Sequence, residues 1–530
     1  MTTADVPTRR LSTHHPDGAT ELHLAMTEQV MAELRDILLP QCPDRAPERG
    51  VIGVLHVSRG CRRRTLLLRR VVLPRPGDVR FHIRHCLLFS ETYKSRAADE
   101  ATGEDGGLLF LHTHPVRRGR EDSFPHPSPE DLEVDPRDLY ALGRSLGHRA
   151  PLAAGILSDT GLWSVREYSF RFPRTLEEVR DPLFSAEAAV MTYVSAVRIV
   201  GPSLRKLPTS VGAEGPAGAE GGIALDAQDS TVQLWGTAGQ RALASVRVGL
   251  TGAGGVGGIL AEHVARLGVG GLVGVDYDRL TRENLNRSQG ATREEAAAYI
   301  PKVRVAERLA RAAATAPSFE FTAIDGSVIE EATIPHLLDC DIILNVADSP
   351  WARQVLDHLA FAHLIPVVQG GTVLKGDPAT GRVLAGKSEV SATGTGHPCS
   401  ECAGVYTRHE VTEAQEHPSQ RGHRGYLDVG TQRAAEEARA PSVIALNAIV
   451  AGLMELRLMA LVLGTTPDAL VGAQRYHVVE GTMDWSLVHG CREGCARTST
   501  IGLGDRHALP TGVDQDRLVS RERETRLVER

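Results

Sequence analysis

The chain has 530 residues, of which 42% are apolar and 24% are charged, and its formal net charge is -7 at pH 7. These values are typical of globular proteins, and the length exceeds what one hydrophobic core supports, so two or three domains are expected. The interspersed charges argue against nucleic-acid binding. The first twenty residues lack the apolar core of a signal peptide, and no run reaches the roughly 18 uninterrupted apolar residues of a membrane span. We therefore expect a cytoplasmic protein with neither nucleic acid nor membrane as a partner.

The N-terminal third of the chain predicts a mixed α+β domain. Residues 1–20 are predicted to be disordered, and residues 21–38 are predicted to form a helix with one apolar face. Another helix is predicted at 129–146, surrounded by short β-like runs. Those strands are expected at 51–57, 65–73, 80–89, 107–112, 153–157 and 162–171.

Two histidines stand at the end of one of these predicted strands. His112 and His114 project on the same face of the strand, which suits two ligands of one metal ion. Ser128 and Asp131 follow at the N-cap and third positions of the next helix, where a capping box explains them in purely structural terms. These residues alone leave both interpretations open.

The pattern of the chain changes after residue 172. A helical segment and a Gly/Ala-rich flexible linker are expected over 173–228. Strand, Gly-rich turn, helix and strand then alternate, as in a parallel doubly wound sheet. Residues 499–530 are predicted to be a charged tail.

The Gly-rich turn predicts a nucleotide site. It contains Gly252, Gly254, Gly255 and Gly257, and its backbone could approach a phosphate at the start of the following helix. Asp276, at the end of the next strand, is placed to hydrogen-bond a ribose. A nicotinamide or flavin site, or a tight turn without a ligand, would show the same pattern.

Four of the eight cysteines come in two close pairs. Cys399 and Cys402 form a CxxC pair, and Cys491 and Cys495 form a CxxxC pair. In a cytoplasmic chain this spacing favours a metal site over a disulfide bond. Four thiolates suit a structural zinc ion. A redox dithiol or four unrelated thiols are the alternatives. Cys340 is predicted to be a core residue.

The stretch DYDRLTRENLNRSQ at 276–289 resembles the signature of the ThiF/MoeB family, the adenylating domain shared with ubiquitin-activating enzymes. The positions that match in register are Asp276, Asn284, Asn286 and Arg287. Lys302 stands where the family carries its phosphate-binding lysine, and Asp348 stands where it carries its magnesium-associated aspartate. The resemblance covers about 229–498 and implies a Rossmann-like doubly wound domain.

The resemblance also implies a chemistry. Attack of a carboxylate on the α-phosphate of ATP concentrates negative charge, which fixed cations and Mg²⁺ would stabilise. Arg287 and Lys302 are then expected to contact phosphates, Asp348 to help hold Mg²⁺, and Asp276 to bind ribose. The Gly-rich turn, Asn284 and Asn286 complete the expected ATP site.

The sequence differs from the pattern of the ThiF/MoeB family in two features. Ser230 stands where the family commonly has an arginine that acts across a dimer. Residues 403–490 contain no cysteine, so the thioester step of ubiquitin-type activation is in doubt. The adenylate could be the final species, a partner could take it, or a hydroxyl such as Ser391 or Thr393 could substitute.

HTHP followed by SPED resembles the JAB/MPN (JAMM) metalloprotease family, whose members remove ubiquitin-like proteins. The resemblance implies an α/β/α metallopeptidase domain over 21–172 with a catalytic zinc ion. It makes Glu48 the general base, with Glu91 as the alternative, and Ser128 the hydroxyl that stabilises the oxyanion. The implied zinc ligands are His112, His114 and Asp131.

Together the resemblances imply a bifunctional enzyme of a bacterial ubiquitin-like modification system. One domain would adenylate the C-terminus of a ubiquitin-like protein, and the other would deconjugate or process that protein. The expected partners are this protein, a conjugating enzyme and a second copy of the chain, bound through the ThiF-like domain. The alternatives are sulfur-carrier activation in cofactor or cysteine biosynthesis, an NAD-dependent oxidoreductase with an accessory metallohydrolase, and an inactive scaffold.

Overall fold

The chain forms two compact units in the computed structural model. The structure describes residues 18–39, 48–79, 87–114, 124–147, 149–171, 175, 177–178, 189–211, 224, 226–421, 441–464, 472–486, 488 and 490–528. The first unit comprises Met1–Ile199, Arg205–Ala219 and Gly502–His507. The second comprises Val200–Leu204, Glu220–Ile501 and Ala508–Arg530.

The first unit contains a nine-stranded sheet with helices on both faces. The strands are β1 (Glu21–Thr27), β2 (Gly50–Arg59), β3 (Arg63–Val72), β4 (Gly107–His114), β5 (Leu152–Ser158), β6 (Trp163–Phe170), β7 (Ala189–Tyr193), β8 (Ala196–Val200) and β9 (Leu204–Pro208). They lie in the order β7-β6-β5-β4-β2-β3-β1-β8-β9. The helices are α1 (Glu28–Leu38), α2 (Glu91–Gly103) and α3 (Pro129–Leu146). Apolar residues of α1 pack in one cluster and those of α2 and α3 in another.

The predicted helix at 21–38 is wrong over its first seven residues. Leu22, Leu24 and Met26 recur every second residue, which is the period of a strand, and β1 pairs in parallel with β3. The helix begins only at Glu28, where the Thr27 side chain caps it by accepting a hydrogen bond from the Val30 amide.

Strands β7, β8 and β9 lie between residues 189 and 208, so the prediction of a helical segment is wrong there. Residues 177–178 are helical, and most of 172–188 lies outside the described residues. The helix at 129–146 is confirmed, as are the strands expected at 107–112, 153–157 and 162–171. Most of the strand predicted at 80–89, the flexible linker and the disordered N-terminus lie outside the described residues.

The second unit is a doubly wound α/β domain. Its strands are β10 (Arg247–Thr251), β11 (Gly271–Val275), β12 (Glu320–Ile324), β13 (Ile342–Asn345), β14 (Val367–Asp377), β15 (Arg382–Thr393), β16 (Ala473–His477) and β17 (Thr482–Ser486). They lie in the order β12-β11-β10-β13-β14-β15-β16-β17, parallel as far as β14 and antiparallel beyond it. Because the strand order reverses between β10 and β13, a crevice opens at their carboxyl ends.

The helices of this unit cover both faces of the parallel part. They are α4 (Asp229–Ala244), α5 (Gly255–Arg266), α6 (Arg293–Ala297), α7 (Lys302–Ala313), α8 (Ile334–Leu338), α9 (Pro350–Ala362), α10 (Arg408–Gln415), α11 (Ile444–Leu463) and α12 (Gln515–Val528). By length and composition α11 could cross a membrane, but Asn447, Glu455 and Arg457 interrupt it. It packs against α5 and β14, as a core helix of a globular unit does.

The segment predicted to be a charged tail contains α12, which is tied to the body of the second unit. Arg517 forms an ion pair with Glu330, and Arg521 forms one with Asp325. Some of the charged residues that suggested a solvated tail therefore form ion pairs within this unit.

Leu34 tests the packing of α1 on the first sheet. Its side chain is fully buried in a cluster with Leu24 and Trp163. Leu34→Ala should lower the free energy of unfolding by about 2–5 kcal/mol because it leaves a cavity. Urea denaturation measures this, with exposed Arg35→Ala as the control from the same helix. Equal stability of the two variants would contradict the packing described for α1.

Candidate functional site

A cavity of about 580 Å³ lies at the carboxyl ends of the parallel strands of the second unit. The Gly-rich turn after β10 forms one side, and residues that follow β11, β12 and β13 form the others. The predicted site residues that line the cavity are Gly252, Gly254, Gly255, Gly257, Asp276, Lys302 and Asp348. The cavity thus gathers most of the nucleotide site predicted from the sequence.

Two glycines shape the turn itself. Gly252 has a φ of +91°, a backbone conformation that residues with a side chain rarely adopt. A Cβ atom on Gly257 would lie 1.9 Å from the Gly252 carbonyl oxygen, so only glycine permits this approach of α5 to β10. The amide groups at the start of α5 therefore face the cavity, in the arrangement that binds phosphates.

Asp276 braces the turn from the neighbouring strand. Its carboxylate accepts hydrogen bonds from the amides of Ala253, at 2.6 Å, and Asp278, at 2.7 Å. Burial raises the pKa of Asp276 to about 6, against the attraction of Lys302. The Lys302 ammonium lies 2.7 Å from the Asp278 carboxylate. Asp278 therefore positions Lys302, the lysine predicted to bind phosphate. The sequence analysis did not single out Asp278, although it is the second aspartate of the DYD stretch.

Arg353 is a second candidate site residue that the sequence analysis missed. It lines the cavity together with Asp348, which is exposed just beyond the end of β13. Burial lowers the pKa of the Arg353 guanidinium, and the Asp348 carboxylate opposes that shift. The stretch DSPWAR contains both residues, so Arg353 could have been found as the cation that follows Asp348, the aspartate predicted to help hold Mg²⁺.

Three predicted residues do not line the cavity. The Asn284 side chain caps a 3₁₀ turn by accepting from the Thr281 amide, at 3.0 Å. Asn286 is exposed, and the Arg287 guanidinium donates to the Glu283 carbonyl, at 2.7 Å, and to the Asn286 side chain. These side chains make local hydrogen bonds instead, and their expected contact with ATP stays a prediction.

The four paired cysteines come together in the second unit. Their sulfur atoms all lie within 4.8 Å of one another, and the Cys399 and Cys495 sulfurs are 3.8 Å apart. Tetrahedral zinc with bonds of about 2.3 Å separates its sulfur ligands by about 3.8 Å. The Cys399 amide also donates to the Cys491 sulfur, at 3.2 Å. This donor set fits a structural zinc ion.

A buried carboxylate holds the first cysteine pair in place. Asp357 accepts hydrogen bonds from the Ser400 amide, the Ser400 hydroxyl, the Tyr406 hydroxyl and the Thr393 hydroxyl. Burial raises the pKa of Asp357 and these donors offset that cost. Hydrogen bonding to Cys491, together with burial, raises the pKa of the Cys399 thiol, a penalty that a bound cation would relieve.

His112, His114 and Asp131 converge in the first unit. The Nε2 atoms of the two histidines are 3.1 Å apart and lie 3.4 and 3.3 Å from the Asp131 carboxylate oxygens. Zinc with bonds of about 2.1 Å would separate its ligand atoms by about 3.4 Å. Burial opposes ionisation of Asp131, but hydrogen bonds with both histidines outweigh it and lower its pKa. The three side chains therefore fit one metal ion.

The capping box at the start of α3 coexists with this cluster. The Asp131 amide donates to the Ser128 hydroxyl, at 3.1 Å, and the Ser128 amide donates to the Asp131 carboxylate, at 2.7 Å. The capping hydrogen bonds therefore hold the Asp131 carboxylate beside the histidines. Helix capping and metal binding are compatible roles for Asp131.

The two candidate bases have different surroundings. Glu48 is buried, and its carboxylate lies 3.9 Å from the His114 ring. The Glu91 side chain is 86% exposed and pairs with Lys94, at 2.8 Å. Of the two, Glu48 is the one at the histidine cluster.

Comparison with known proteins agrees with the second unit. Residues 227–493 match the model of the ThiF family, which is half of the chain. The chain belongs to the ThiF family. The predicted resemblance over 229–498 is thereby confirmed for the family and for a Rossmann-like fold. The match begins beyond the residues of the His112–His114–Asp131 cluster.

Two curated ThiF-like relatives match part of the chain. The sulfur carrier protein ThiS adenylyltransferase of Bacillus subtilis is 30% identical over 138 residues, which are 26% of this chain and 40% of that protein. The molybdopterin-synthase adenylyltransferase of Escherichia coli is 29% identical over 166 residues, which are 31% of this chain and 61% of that protein. The chain thus spans about half the length of these relatives.

Among solved structures, Escherichia coli MccB in complex with MccA-N7isoASN is similar, with 14% identity and a TM-score of 0.42. The similarity covers 52% of this ThiF-family chain and 74% of MccB. A likeness of this size identifies no activity.

The cysteine cluster yields a prediction about metal content. Cys491→Ser should remove one equivalent of zinc per chain, because a three-thiolate site binds the ion far more weakly. Mass spectrometry of the purified protein for zinc measures this. Exposed Cys61→Ser is the control and should leave the zinc content unchanged. An equal zinc content in both variants would show that the cluster holds no zinc.

Proposed function

We propose that this chain activates the C-terminal carboxylate of a small ubiquitin-like protein with ATP and hydrolyses amide bonds formed at that kind of carboxylate. Membership of the ThiF family supports the first activity. The approach of Glu48 to a histidine and aspartate cluster supports the second. The pairing of the two sites in one chain is the observation that carries the combined proposal.

The adenylation step follows from the cavity. A carboxylate oxygen of the small protein attacks the α-phosphorus of ATP, the bond to the bridging oxygen breaks, and pyrophosphate leaves. Lys302 and Arg353 place cations at the cavity wall, where they would stabilise the charge that develops on the phosphates. Asp348 would hold Mg²⁺, which when bound neutralises further phosphate charge.

The fate of the adenylate is part of the proposal. Residues 403–490 contain no cysteine, and no cysteine lines the described cavity. Thr393 is buried and donates to Asp357, at 3.1 Å, whereas Ser391 lines the cavity. We therefore place the acceptor nucleophile on a partner, such as a conjugating enzyme, with Ser391 as the alternative within this chain.

The hydrolytic step follows from the first unit. His112, His114 and Asp131 would hold Zn²⁺, which when bound acts as a Lewis acid and lowers the pKa of a water ligand. Glu48 lies beside His114, where its carboxylate can take the proton of the attacking water and deliver it to the leaving amine. Ser128 stands at the adjoining helix start, where its hydroxyl can stabilise the oxyanion.

A second copy of the chain is the third proposed partner. The ThiF/MoeB resemblance supports a homodimer, yet Ser230 cannot supply the arginine expected to act across it. Ser230 is exposed near the start of α4. Arg353, which already lines the cavity of its own chain, can provide the missing positive charge.

Sulfur-carrier activation is the second candidate function. Both curated relatives are named as adenylyltransferases, one for the sulfur carrier ThiS and one for molybdopterin synthase. The product separates the candidates, because sulfur transfer yields a thiocarboxylate on the small protein, whereas modification yields an amide-linked conjugate. Release of pyrophosphate from ATP separates both from an NAD-dependent oxidoreductase.

Asp348 tests the adenylation activity. Asp348→Ala should lower ATP–pyrophosphate exchange by about a hundredfold or more, because the phosphate charge loses its metal-binding carboxylate. The assay supplies, as the acyl donor, a purified small ubiquitin-like protein that ends in glycine. The matched control is Asp377→Ala, at the end of β14 in the same unit and outside the cavity lining. Undiminished exchange in Asp348→Ala would exclude the proposed role.

Glu48 tests the hydrolytic activity. Glu48→Gln should reduce cleavage of a fluorogenic amide at the C-terminal glycine of the same small protein by about 10²- to 10⁴-fold, with zinc content unchanged. Glu91→Gln is the matched control and should retain the full rate. A full rate in Glu48→Gln, or absence of cleavage by the unaltered protein, would contradict the proposed hydrolysis.

A further inference from the structure

The ThiF-family match ends at residue 493, yet a later residue lines the cavity. Asp514 is buried, with 4% of its surface exposed, and it forms part of the wall beside Ser327. The segment that carries it was predicted to be a charged tail without chemistry. Its position in the cavity requires an explanation beyond the family resemblance.

Contacts on both sides of Asp514 hold this segment in place. The Gly512 amide donates to the Ile329 carbonyl, at 3.0 Å, and the Trp351 indole donates to the Pro510 carbonyl, at 2.6 Å. Farther along, Arg517 donates to the Asp325 carbonyl, at 3.1 Å. The segment therefore runs beside the loop that follows β12.

The strand order indicates which part of a nucleotide lies there. In a doubly wound fold the Gly-rich turn after β10 would face the phosphates of a nucleotide, and Asp276, which follows β11, would face its ribose. Because β12 is the next strand outward, the residues that follow it lie beyond the ribose, where the base extends. Ser327 follows β12 and donates a hydrogen bond to Asp514, so the two cavity-lining residues lie together beside the end of that strand.

The chemistry of Asp514 suits one kind of base edge. The Ser327 hydroxyl donates to one of its carboxylate oxygens, at 2.5 Å, and the amides of Asp516 and Arg517 donate to the other, at 3.0 and 3.3 Å. An ionised carboxylate only accepts hydrogen bonds, and each of its oxygens can accept more than one. Adenine offers the N6 amino group as a donor, whereas guanine offers the O6 atom as an acceptor.

We propose that Asp514 is a specificity-determining residue that accepts a hydrogen bond from the adenine amino group, so that the cavity selects ATP over GTP. The inference rests on the proposed adenylation function and adds the base-recognising residue to it. Asp514 also caps α12, and the substitution used to test the proposal must preserve that role.

Asp514→Asn is the decisive variant, because asparagine caps a helix as well as aspartate but can also donate to guanine O6. Isothermal titration of the full chain with ATP and with GTP, both with Mg²⁺, measures the preference. We expect the ratio of the two affinities to fall by about tenfold or more, equivalent to ~1.4 kcal/mol. Glu522→Gln, the same chemical change at an exposed position of α12, should leave the ratio unchanged.

A second measurement uses the unaltered protein and does not depend on the folding of a variant. Purine riboside triphosphate lacks the amino group and should bind about tenfold more weakly than ATP. Equal binding of ATP and this analogue would overturn the role of Asp514 even if the variant fails to fold.

The outcomes separate the two proposals. An unchanged ATP-to-GTP ratio in Asp514→Asn, with normal ATP–pyrophosphate exchange by the unaltered protein, would reject base recognition and leave the adenylation function standing. A full chain that binds no ATP and shows no exchange would reject both.

Discussion

The close approach of α5 to β10 is the contact on which the nucleotide cavity depends. Any side chain at Gly257 would collide with the Gly252 carbonyl, so the helix can sit at this distance only with glycine there. This distance places the start of α5, and hence its free amide groups, at the edge of the cavity. Asp276 then has a defined turn to brace from the next strand. The phosphate-binding end of the site is thus set by a backbone contact.

A second constraint extends from this contact toward the cysteine cluster. Buried polar side chains form a continuous series of hydrogen bonds below the cavity, in the order Thr251, Asn345, Gln369, Ser400 and Asp357. Such a network is stable only when every member is satisfied. Ser400 adjoins Cys399, so the hairpin that holds the cysteines also completes the hydrogen bonds at the end of β10. One hydrogen-bonded network therefore supports both the cysteine cluster and the nucleotide cavity.

The parts of the structure that the sequence predicted well have local causes. The helix at 129–146 follows from a capping box and an apolar period, and the cysteine cluster follows from the spacing of its ligands. The strand β1 was missed because its alternating residues merge with the helical period of α1. The local bonds of Arg287 could not be foreseen, since they involve the backbone rather than the signature.

Asp514 was missed for a different reason. Its segment is highly charged, and charge alone predicts solvent exposure, whereas its burial follows from contacts with residues that lie far away in the chain. No local motif in the sequence marks such a residue as part of a site. Only the sheet topology brings it to the end of β12.

The position of Asp514 also has a consequence for synthesis. In a chain that is still emerging from the ribosome, β10, the Gly-rich turn and α5 are made long before residue 514 is added. Its cavity then has phosphate-binding groups but lacks one wall.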